Sequence, residues 1–98
     1  MSAPVTYSLL ITGHFKNPDF CQWIAHRAEL LSLSGWVAEH GEGVLEVRVR
    51  GNQILVDAME TACSLGPLDA QVESIEMRQS NCADCHSGFT IHTSRSAE

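Results

Sequence analysis

The chain has 98 residues and a formal net charge of -6, with 44% hydrophobic and 18% charged residues. That length leads us to expect one domain, 1–98, with no room for a second core. An acidic balance with a sole lysine (Lys16) and scattered arginines argues against nucleic acid or an anionic membrane as partner; the mixture is that of a globular chain, not a disordered one.

The opening "MSAPVTYSLL" lacks a basic segment followed by a long apolar one, and no apolar run nears the ~20 residues of a membrane span. The expectation is a chain without a signal peptide in the reducing cytoplasm. There, Cys21, Cys63, Cys82 and Cys85 are free thiols, metal ligands or redox groups sooner than a disulfide framework.

"TYSLLIT" alternates as a strand with Tyr7, Leu9 and Ile11 on one face. Asp19, just after Pro18, reads as a helix N-cap. From Phe20 the apolar residues Ile24, Ala28 and Leu31 recur at helical spacing, and Gly35 ends that run. "GWVAE" and "VLEVRVR" form a hairpin around the turn "HGEG", with Leu45, Val47 and Val49 inward. "NQILVDAMETACSLG" reads as a second helix burying Leu55, Ala58, Met59, Ala62 and Leu65, closed by Gly66-Pro67. "AQVESIEMRQ" is a strand whose alternation breaks between Val72 and Ile75, the mark of a bulge. "SNCADCHSG" is a loop and "FTIHTS" a final short strand. The order predicts an α+β fold: a ferredoxin-like βαββαβ sandwich with an added C-terminal strand, two helices on one face of a mainly antiparallel sheet.

The order of elements, "GWV" before an acidic-glycine hairpin, a strand ending at Gly51, "GP" after the second helix, "A-x-V" opening the fourth strand and "GF-x-I" near the end together resemble the acylphosphatase family, over roughly Val5 to Thr93. The resemblance implies hydrolysis of acyl phosphates. The family's signature loop runs G-x-V-Q-G-V-x-F-R; its backbone and its arginine bind the phosphate, and an asparagine two residues after "GWV" orients the attacking water. Carried over, Gly13 and Phe20 match, His14 fills the free position, and Phe15, Lys16, Asn17, Pro18 and Asp19 occupy the rest of the anion loop. Cys21 stands at the arginine and Glu39 at the asparagine, the two catalytic positions.

These changes bear directly on the chemistry. Arginine grips a phosphoryl group with a permanently charged fork, which a thiol cannot reproduce. Pro18 removes a backbone donor, and Asp19 and Glu39 add carboxylates where an anion would arrive. Asp19 or Glu39 is therefore expected to fill the cradle. The expected function is a catalytically degenerate acylphosphatase-like domain acting as a binding or regulatory module toward a small molecule or protein. The alternatives are an acylphosphatase working through an altered site, with Lys16 as a displaced cation, and a small metal-binding protein. The last rests on "CADCH": Cys82, Cys85 and His86 have zinc-ligand spacing, although plain thiols, an incidental disulfide or a redox dithiol share it. No cofactor is expected otherwise. His14, Cys21, Glu39 and His40 form a second candidate cluster of ligand types at the end of the first strand, against which stands the reading of two exposed loop histidines and a small helix-face thiol.

Overall fold

In the computed structural model, which describes residues 3–67, 69–81 and 88–92, the chain runs β1 (Val5–His14), α1 (Asn17–Leu30), β2 (Ser34–Gly41), β3 (Val44–Gly51), α2 (Gln53–Leu65), β4 (Gln71–Gln79) and β5 (Phe89–His92). The strands form one sheet in the order β4-β1-β3-β2-β5. Every pairing is antiparallel except β2 with β5. This is the ferredoxin-like arrangement that the element order predicts, with β5 added at one edge.

The alternation of the strands decides which face the helices cover. Leu9, Ile11, Val37, Leu45, Val47 and Val49 are buried together with Phe20, Ile24 and Ala28 of α1 and Val56 and Met59 of α2. Burying one such side chain contributes about 1.5–3 kcal/mol, so this layer supplies the main favourable term of folding. The other sheet face carries a polar network. Glu46 accepts from Ser8 and Arg48 and lies 2.7 Å from His40 Nε2. The Arg48 guanidinium sits 5.0 Å from the Trp36 ring centroid, and His92 stacks on that ring at 5.4 Å. Trp36 thus packs outside the apolar layer.

One helix boundary and one buried helix face differ from the sequence reading. Asp19 is not the N-cap of α1; Lys16 is, with no side-chain cap bond, and the helix already includes Asn17 and Pro18. Proline suits a first helical turn because its missing N–H has no intrahelical partner there. In α2 the buried residues are Val56, Met59 and Cys63, whereas Ala58 is exposed and Leu65 is 76% exposed. The Asn52 side chain caps Ile54 N at 2.9 Å and fixes the start of the helix, and the stripe at 56, 59 and 63 then faces the sheet. The expected bulge in β4 is present: Thr12 pairs with Ser74 and Gly13 with Val72, so Glu73 is the extra residue.

Candidate functional site

The β1–α1 loop meets the β2–β3 turn and the start of β4 at one pole of the sheet. Gly13 donates its N–H to Gly43 O at 3.0 Å, and His14 pairs with Gln71. Both glycines are required here. A Cβ on Gly13 would overlap Gln71 O, and one on Gly43, which has φ +74°, would overlap Gly13 O. The close backbone approach brings the head of α1 over the hairpin turn.

Asn17 occupies that junction. It is 8% exposed, the one buried polar residue among the described residues. Its Nδ2 donates to Gly41 O at 2.7 Å and lies 3.5 Å from Glu39 Oε1, while its Oδ1 accepts from Gly43 N at 3.0 Å. The amide therefore bridges both sides of the turn and satisfies its backbone groups. Cys21 lies four residues later on the same face of α1 and is 2% exposed. Burial, and secondarily the Glu39 carboxylate, pushes its thiol pKa up to about 11. The side chain at the expected cation position is thus a neutral thiol near a carboxylate.

Of the remaining loop residues His14, Lys16, Pro18 and Asp19 are exposed, whereas Phe15 is half-buried against the core. Phe15, Lys16, Asn17, Pro18, Asp19 and Glu42 line an open depression of about 380 Å³. Asp19 is exposed and makes no side-chain bond among the described residues. Asn17, not Asp19, reaches into the junction, with Glu39 beside it. Sequence reasoning placed Asn17 in the anion loop but missed its role at the junction, because it started the helix three residues late. With the helix begun at Asn17, its spacing to Cys21, Ile24 and Ala28 would have placed it on the buried stripe.

The proposed convergence of His14, Cys21, Glu39 and His40 does not form. His14 Nε2 pairs with Glu73 at 3.0 Å, and His40 turns to Glu46 on the open sheet face. His40 follows Glu39 in the alternation of β2 and so falls on the face that carries Glu46, at a bulge where it has no partner residue on β3. Among the described residues no group of three or more His, Cys, Asp or Glu is placed to hold a metal. Cys82, Cys85 and His86 lie outside the described residues.

A second depression, of about 460 Å³, opens beside the loop between α1 and the α2–β4 connection. Phe15, Phe20 and Trp23 form its aromatic wall; Phe15 meets Phe20 edge-on at 4.7 Å, and Phe20 lies 5.6 Å from Trp23.

The acylphosphatase family profile matches residues 7–91. An acylphosphatase of Azorhizobium caulinodans is 34% identical over 86 residues, covering 88% of this chain and 92% of its own. Another, of Rhodopseudomonas palustris, is 33% identical over 67 residues, 68% of either chain. The crystal structure of acylphosphatase from Bacillus subtilis superposes with a TM-score of 0.81 at 22% identity, covering 90% of this chain and 98% of that one. The chain belongs to the acylphosphatase family.

Proposed function

We propose that this member of the acylphosphatase family is catalytically degenerate and works as a binding module. The observation that carries the reading is the buried thiol of Cys21 in the field of the Glu39 carboxylate. Phosphoryl transfer draws its catalysis from positioning and from charges that stabilise the transferring group. Here a neutral buried thiol stands at the arginine position, and the adjacent carboxylate repels an incoming anion. Asn17 adds to this. A side chain stands where the family loop has a glycine, and its amide engages Gly41 O and Gly43 N.

Lys16 is the one lysine of the chain and lines the open depression, but Asp19 and Glu42 line it too. One ammonium on a flexible stem among carboxylates is a poor substitute for a guanidinium fork.

Phosphate release from acetyl phosphate tests the reading. We expect turnover far below the ~1–10³ s⁻¹ of ordinary enzymes. Turnover within that range, abolished in Lys16→Gln, would establish hydrolysis through an altered site instead.

A further inference from the structure

We propose that the aromatic groove between α1 and the α2–β4 connection binds a small organic cation, an alkylammonium carrying an apolar body. Such a cation is the ligand class of the binding module proposed above, and the assignment rests on that reading. The groove measures about 460 Å³, within the range of small-molecule sites. Phe15 and Trp23, both half-buried, supply ring surface with the buried Phe20 packed behind them, and Asp19 and Asp69 supply two carboxylates against the single ammonium of Lys16. Among the described residues neither carboxylate is taken up in an ion pair. Aromatic faces attract cations through the ring quadrupole, most strongly for indole, and more when the cation is partly desolvated.

The Arg27 guanidinium already lies 5.2 Å from the Trp23 ring centroid, so a groove ligand uses the ring surface that this contact within the chain leaves. The surroundings reinforce the sign. Glu42 lines the adjoining depression, Glu39 lies beneath the head of α1, and the whole chain carries -6. A cation is therefore drawn to this pole and an anion repelled. A phosphate-binding loop with its guanidinium replaced by a thiol and its rim made acidic has had the sign of its field inverted. The aromatic groove beside it is where a cation of matching shape would be held.

Titrations with choline, its uncharged isostere dimethylbutanol and the corresponding acid dimethylbutyrate separate charge from shape. The readout is the indole N–H signal of Trp23 by NMR, with Trp36 on the opposite sheet face as internal control. We expect choline to shift Trp23 alone and to bind roughly five- to thirtyfold more tightly than the alcohol. Asp69→Asn and Asp19→Asn should each weaken choline severalfold, and Lys16→Gln should tighten it. All three side chains are polar groups of the groove rim, so a folded variant is expected each time. Equal affinity for choline and the alcohol would overturn the proposal by showing an apolar groove indifferent to charge. Tighter binding of the acid, or no response of Trp23 to choline, would overturn it too. Acetyl phosphate turnover measured on the same samples keeps the two readings apart. Turnover would remove the binding-module reading while leaving a measured choline affinity standing; absent turnover with no choline response would remove the ligand class alone.

Discussion

Asn17 ties the head of α1 to the β2–β3 turn through a single side-chain amide. Its amide is both donor and acceptor, and the β2–β3 turn presents one backbone group of each kind: Gly41 O at 2.7 Å and Gly43 N at 3.0 Å. A glycine at this position leaves both without this partner. Replacing Asn17 by Gly, the residue type of the family loop, should therefore destabilise the fold by about 2 kcal/mol, from a buried donor at Gly43 left unpaired and the bond to the more exposed Gly41 lost. In a domain of this size that corresponds to a fall in Tm of roughly 10 °C or more. Thermal unfolding followed by circular dichroism measures it. A Tm unchanged by Asn17→Gly would mean that water replaces the amide without loss and that Asn17 does not hold the junction.

At the scale of elements, the relation between α1 and β2 is what matters. Glu39 alternates with Val37 and Gly35 and so points to the helix-covered face, opposite Leu45. That places its carboxylate under the first turns of α1, near Cys21 and Asn17. Restoring the arginine alone should consequently fail. In Cys21→Arg the guanidinium has Glu39 as a ready partner, and a paired guanidinium offers phosphate little net charge. Glu39→Asn alone removes the repulsion but returns no cation. Only the double variant leaves an unpaired guanidinium at the head of α1. A ligand that binds the folded state raises its apparent stability by mass action, so Tm against phosphate concentration reads the cycle directly. We expect a rise for the double variant only, a coupling that independent sites would not show. An equal rise in Cys21→Arg alone would show that Glu39 does not neutralise this position. The elements behind this argument were largely legible in the sequence. The alternation of Leu45, Val47 and Val49, the broken alternation at Val72–Ile75 and the hairpin at "HGEG" each predicted what is seen. The head of α1 was less legible, because Pro18 and Asp19 resemble a helix boundary although a proline also fits inside the first turn. The phase of α2 was misread for a similar reason. Its apolar residues are too many to define a single stripe, and burial at Val56, Met59 and Cys63 is chosen by contact with the sheet. No residue pattern could reveal that Asn17 would reach across to Gly41 and Gly43, since that contact exists only once hairpin and helix are docked.

For the molecule as a whole, the two buried thiols tie stability to alkaline pH. Cys21 is 2% exposed and Cys63 is fully buried, and neither is in a disulfide. Burial raises both pKa values from the ordinary 9.0, Cys21 to about 11 and Cys63 to about 12. Glu39 adds to the rise at Cys21; at Cys63 Glu60 adds to it and Arg27 partly offsets it. The folded state thus keeps these protons after the unfolded chain has released them. Stability linked to them is fully present below pH 9, falls as pH rises above it, and is lost once pH passes the folded-state values of about 11 and 12. Each pK unit is worth about 1.4 kcal/mol, so the two shifts together correspond to a loss on the order of 7 kcal/mol, comparable with a small domain's total. Urea unfolding at a series of pH values from 8 upward should show the midpoint falling steadily above about pH 9. Replacing both thiols with alanine should flatten that dependence, even though it lowers stability at neutral pH by removing packed atoms. At pH 8 the same burial and neutrality should leave Cys21 and Cys63 unmodified by iodoacetamide in the folded protein and modified in urea, read peptide by peptide by mass spectrometry. A midpoint that falls just as steeply in the double alanine variant would trace the alkaline loss to other groups. Rapid modification of Cys21 at neutral pH would show instead that the head of α1 opens readily, and that Asn17 does not keep it closed over the hairpin.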